Sequence, residues 1–115
     1  MARQEMPIFT KTFELLAWLI PATNSFPRAY RYTVTQRMLH VAFELRERLE
    51  VANMRKGAAR KEQLALADEA LAQLRFYLRL SVRLHCFSQG QYKHVSQIVV
   101  EIGRLLGGWQ KVTIV

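Results

Sequence analysis

The sequence is poor in the features that staple, anchor or catalyse. Cys86 is its only cysteine, so no intrachain disulfide can form and a cross-linked secreted scaffold is excluded. A lone thiol fits a reducing, cytoplasmic compartment. Long apolar runs are missing too: the charge-free stretch at 15–27 is too short to span a bilayer and contains Pro21 and Pro27. Lys11 and Glu14 crowd the short hydrophobic segment before Pro21, so neither a membrane span nor a signal peptide is expected. Acid is scarce, with 9 Asp plus Glu against 17 Lys plus Arg and a net charge of +8. Such an imbalance favours polyanionic partners, nucleic acid first and acidic protein surfaces or anionic lipid second.

Reactive groups do not converge in the sequence. There is no Gly-rich phosphate loop after a strand, no GxSxG, no HExxH and no metal-type Cys/His array. His40, His85 and His94 stand apart, and the ExxH pairs of a di-iron bundle are absent. Glu44, Glu47 and Glu50, and likewise Asp68 and Glu69, lie among arginines on helical surfaces, where carboxylates solubilise. No catalytic residue, metal or cofactor is expected. A bundle enzyme would need a bound metal or cofactor to support it.

What is present is helical periodicity. With 115 residues, 50% of them hydrophobic, one domain over 1–115 is expected. After a polar lead at 1–7, a first helix is read over about 8–22, with Phe9, Phe13, Leu16 and Ile20 on one side. Pro21 and the turn residues to Pro27 end it. Thr33 is the expected N-cap of a second helix over about 33–53, whose seam is Val34, Met38, Val41, Ala42, Leu45, Leu49 and Ala52. On its outside, Glu44 with Arg48 and Arg46 with Glu50 form i, i+4 pairs, whereas Arg37 has no acidic partner at helical spacing. A basic turn around Gly57 follows, carrying Arg55, Lys56, Arg60 and Lys61. Cations suit a helix C-terminus, which accounts for Arg55 and Lys56 better than for Arg60 and Lys61.

The third helix, about 60–87, has the clearest pattern. Leu64, Ala67, Leu71, Leu74, Leu78, Ser81 and His85 form one seam. A second apolar set, Leu66, Ala70, Tyr77, Leu80 and Leu84, lies off it and requires its own cover, from other helices of the chain or, preferably, from a neighbouring subunit. The remaining wedge carries Arg75, Arg79 and Arg83 at i, i+4 and i+8 beside Phe76. Like charges at that spacing cost a few tenths of a kcal/mol. The stripe is either an ordinary solvated face or the contact for an anionic partner suited to guanidinium forks.

A fourth helix is read over about 92–112, with Val95, Ile98, Ile102, Leu105, Trp109 and Val112 as its seam. Ser96, Gly103 and Gly107 share a flank, and the two glycines cost about 0.5 to 1 kcal/mol each against alanine, so close approach of another helix is expected there, a backbone surface for a ligand being the alternative. Short links between four helices imply an all-α, antiparallel up-down-up-down bundle, and no strand pattern competes.

At LxxLRFYLRL (71–80), at EIGRLLGGWQ (101–110) and at Ser25-Phe26-Pro27-Arg28 the sequence resembles the Avd family, the accessory variability determinants of diversity-generating retroelements. The resemblance runs from about Phe13 to Lys111. It implies a homopentameric barrel of four-helix bundles that binds RNA, DNA or hybrid and the element's reverse transcriptase, supporting mutagenic cDNA synthesis and retrohoming. On that pattern Arg75 and Arg79 lie on the basic contact surface, with Arg83, Arg28, Arg37 and Arg104 as further candidates. The chain departs from the family pattern in carrying Val112, Thr113, Ile114 and Val115 where that pattern has a basic tail. Relatives of this family, the intervening-sequence proteins of bacterial 23S ribosomal RNA, supply an alternative reading. A structural oligomer whose stripe meets acidic residues of a neighbour is another.

Overall fold

The computed structural model describes residues 6–114, so most of the expected polar lead, and Val115, lie outside the described residues. Pro7 opens the first helix, α1 (Pro7–Ala22), where its missing N–H costs nothing. Pro21 sits in the last turn, and Ala17, four residues before it, is exposed. The buried stripe of α1 is Ile8, Phe9, Thr12, Leu15 and Leu19. This corrects the expected side, since Phe13 is 70% exposed and Ile20 41% exposed. Thr12 hid the true stripe: its hydroxyl donates to the Ile8 carbonyl at 2.9 Å, so a polar residue is satisfied in the core.

Between α1 and the second helix the chain makes two 3₁₀ turns, Thr23–Ser25 and Arg28–Tyr30, and a π-helical turn, Arg31–Thr35, that runs into α2 (Gln36–Met54). Thr33 is therefore not an N-cap; it lies inside the π turn and donates to the Tyr30 carbonyl at 3.4 Å. The wider turn absorbs the register between Pro27 and the seam. All seven expected seam residues, from Val34 to Ala52, are buried.

Only Arg55 and Lys56 separate α2 from α3 (Gly57–Arg83), which starts three residues before its expected position. Gly57 takes φ of +57°, the left-handed conformation that lets the chain reverse without a Cβ clash. Arg60 then does the helix-end chemistry that the sequence assigned to its neighbours. Its Nε donates to the Ala52 carbonyl at 2.9 Å in the last turn of α2, and its guanidinium lies 5.7 Å from the Trp109 ring centre.

The α3 seam is buried from Leu64 to Ser81, but His85 is not part of it. The helix ends at Arg83, and His85 adopts φ of 62°. The Cys86 amide donates to the Ser81 carbonyl at 2.8 Å and the His85 amide to Val82 at 3.0 Å, the paired bonds of a Schellman turn. Ser88 and Gln91 then form a capping box that starts α4 (Gln89–Val112) ahead of its expected position. On α4, Val95, Ile98, Ile102 and Trp109 are buried as expected, Val99 and Leu106 join them, Leu105 is partly buried and Val112 is 72% exposed.

The four helices pack as a bundle in which α2 meets α3, α3 meets α4, and α1 closes against α4 and α2. Arg46 locks α2 to α1, donating to the Phe9 carbonyl at 2.9 Å and to Thr12 Oγ1 at 3.2 Å, with its guanidinium 5.0 Å from the Phe9 ring centre. Phe9 meets Trp109 edge-on at 6.1 Å, while Phe26, Phe87 and Trp18 form a second aromatic cluster. Ser81, fully buried, donates to the Tyr77 carbonyl and reaches Met38 Sδ. Among the described residues, no helix is long and apolar enough to cross a membrane.

Candidate nucleic-acid interface

The long straight run of α3 projects every third or fourth residue to one side, and this places Arg75, Arg79 and Arg83 in a row. Arg79 and Arg83 are exposed; Arg75 is partly buried. None of the three makes an ion pair with an acid among the described residues. Phe76 lies beside them, 50% exposed, and meets Tyr77 at 5.2 Å.

Arg75 differs from the other two in reaching across to α4. A Cβ built on Gly103 would lie 2.5 Å from its Nη2 and 3.6 Å from Leu71. The glycine thus seats a guanidinium rather than a second helix backbone. Around Gly107 nothing lies within 4 Å of such a Cβ, so the close approach expected there is not made inside this chain. Arg75, Leu78 and Arg79 line one side of a cavity of about 160 Å³, with Tyr92, Ser96, Val99 and Val100 of α4 opposite.

The remaining arginine candidates are scattered. Arg28 is exposed on the 3₁₀ turn and, with Arg31, lines a cavity of about 420 Å³ near Thr35, whose buried hydroxyl has no hydrogen-bond partner. Arg37 lines another, of about 410 Å³, between α2 and α3 beside His40 and Tyr77. Arg104 is spoken for: its Nε donates to Glu101 at 3.0 Å, and this hydrogen bond holds the Glu101 carboxyl below its ordinary pKa. The structure therefore brings Arg75 and Arg79 into one groove and separates Arg28, Arg37 and Arg104 from it.

The second apolar set of α3 is largely covered within the chain. Ala70 belongs to the core, and Tyr77 and Leu84 pack against it; Leu66 and Leu80 are partly buried. The exposed large apolar residues lie elsewhere, with Phe13 at 70% on α1, Phe43 at 42% on α2 and Val100 at 66% on α4. Neither Tyr92 nor Ser96 was expected as a site residue: Tyr92 continues the α4 seam one turn before Val95 and packs against the core, and Ser96 was expected only on the small-residue flank with Gly103 and Gly107. The signal that could have found them is Gly103, a glycine inside the helix about two turns beyond Ser96 and three beyond Tyr92. No group of three or more His, Cys, Asp or Glu that could hold a metal is found among the described residues.

By architecture and charge this is a small, basic, all-helical bundle with three arginines that lack an acidic partner among the described residues aligned on α3. The chain belongs to the bAvd-like family, whose sequence profile matches residues 6–113. It is also similar to the crystal structure of a protein of unknown function from the S23 ribosomal protein family of Bacteroides thetaiotaomicron VPI-5482. That match has a TM-score of 0.83 at 16% identity and covers 91% of this chain and 96% of the other. At that identity the likeness is one of fold. Among curated proteins no match is found.

Proposed function

We propose that this chain is a non-catalytic accessory protein of a diversity-generating retroelement. It grips the phosphate backbone of RNA, DNA or their hybrid and binds the element's reverse transcriptase during mutagenic cDNA synthesis. The bundle runs up-down-up-down and assembles as a homo-oligomer, a pentameric barrel in the family pattern, with copies meeting through exposed apolar side chains. The observation that carries the reading is the row formed by Arg79 and Arg83 with Arg75. Two of these cations are solvent-exposed, and all three lack an acidic partner among the described residues. Contacts of this kind are phosphate-directed, tolerant of sequence and strongly salt-dependent.

The test is binding of a structured RNA across a salt series, with wild type compared against Arg79→Ala/Arg83→Ala at equal native mass. These two residues are the better pair to remove, because Arg75 also packs on α4. If both contact phosphates, the logarithmic salt slope becomes shallower by about one unit for each arginine. An unchanged slope would remove the stripe from the RNA contact. The fold likeness to an S23-family protein sustains a second reading, association with ribosomal RNA. A gene lying inside a ribosomal RNA operon, rather than beside a reverse transcriptase and paired repeats, would favour it.

A further inference from the structure

The groove between α3 and α4 is not lined like a simple phosphate site. Arg75 and Arg79 supply charge along one side, but Leu78 and Val99 supply branched aliphatic surface, and Tyr92 an aromatic ring. A phosphate pressed against such surface would lose hydration without recovering hydrogen bonds there. A planar heterocycle joined to a phosphate satisfies both halves of the lining, since its faces pack on apolar and aromatic groups while its charge meets the guanidinium forks. The cavity holds about 160 Å³, room for a single ring system rather than for a peptide helix.

We infer that this groove receives one base of a single-stranded nucleic acid, stacked on Tyr92, with the adjoining phosphates on Arg75 and Arg79. The inference rests on the nucleic-acid reading above and narrows it, because bases inside a duplex are stacked on one another and cannot enter. Three further features fit that occupant. Gly103 leaves space for the Arg75 guanidinium to lie across α4, fixing one cation at the groove edge instead of leaving it to swing in solvent. The Ser96 hydroxyl, on the same wall as Tyr92, makes no side-chain hydrogen bond among the described residues and is available to a base edge. Tyr92, Ser96 and Val100 also line a broader surface depression with Gln89, Lys93, Gln97 and Glu101, which continues the groove along α4; its one carboxylate, Glu101, is bonded to Arg104, and Lys93 adds a cation to the path.

The experiment uses the full chain at low salt with three labelled probes of equal length: an oligouridylate, an abasic phosphodiester strand and a blunt RNA duplex. Wild type should bind the oligouridylate roughly 5- to 100-fold more tightly than the abasic strand, the range expected from stacking one base. Tyr92→Leu, which keeps the apolar volume, should erase that preference while leaving the abasic strand's affinity and salt slope unchanged. Tyr92→Phe should retain it. Equal binding of base-bearing and abasic strands by wild type would overturn the groove assignment, as would a preference surviving in Tyr92→Leu. Failure to bind any of the three probes would instead overturn the wider nucleic-acid reading. Circular dichroism and native mass establish that each variant is folded, and the wild-type comparison decides the question even if one variant is not.

Discussion

The guanidinium of Arg75 lies across Gly103, close enough that a Cβ on that glycine would meet Nη2 at 2.5 Å. One side chain of α3 is thereby held over the backbone of α4, and the single missing methyl group decides where a cation points. The atom in the way is the free end of a flexible side chain, so the core need not move to admit a methyl.

Gly103→Ala should therefore displace Arg75 at little structural cost. Removing a helix-interior glycine offsets the displacement, so unfolding free energy should stay level or rise by up to about 1 kcal/mol. Nucleic-acid affinity should fall. Gly107→Ala is the comparison: with open space around it, it should gain about 0.5 to 1 kcal/mol and leave affinity unchanged. Urea denaturation together with the RNA titration reads both.

Arg60 joins the end of α2 to Trp109 of α4 through a hydrogen bond at 2.9 Å and a ring contact at 5.7 Å. Arg60→Ala should cost about 2 to 4 kcal/mol, the sum of a charged hydrogen bond and a cation–π contact. Lys61→Ala, at an exposed neighbouring position, should stay within about 0.5 kcal/mol of wild type. Equal effects in the two variants would show that the basic turn acts only through its overall charge.

His85 occupies the left-handed position of the Schellman turn at φ of 62°, where most helices place glycine. His85→Gly should stabilise the chain by about 0.5 to 1 kcal/mol by relieving the Cβ clash. Thermal unfolding followed at 222 nm, the standard helix wavelength, measures it. A loss of stability would mean that the imidazole makes a contribution larger than the strain.

Burial pushes the Cys86 thiol above its ordinary pKa. Less thiolate is present at a given pH, so alkylation in the native state should be slower than in the unfolded chain and should rise to the free-cysteine rate on denaturation. Because the folded pKa is the higher one, the stability linked to the held proton is present below the thiol's ordinary range. It is lost as pH rises through the folded value. A pH series of alkylation rates in native and denatured protein tests both statements.

Helix number and most of the core were legible in the sequence because an apolar residue every three or four positions has no other economical solution in water. The α2 seam shows this most plainly, with every expected residue from Val34 to Ala52 buried. Reading α1 failed where two apolar stripes competed and a satisfied threonine, Thr12, marked the buried one. The end of α3 was misjudged because a histidine stood where the turn favours glycine. The arginine row at 75, 79 and 83 follows from spacing alone, since a helix must place those residues on one side.

What spacing could not contain is the relation between helices. Only packing decided that Arg60 would cap α2 and that Ala70 would be used inside the chain. The same is true of the groove, where Arg75 and Arg79 meet Tyr92 and Ser96 from another helix. The sequence by itself determined which residues share a side of each helix, because that depends on local geometry. The tertiary structure decided which outward residues face one another, because that depends on how the helices are turned and set side by side.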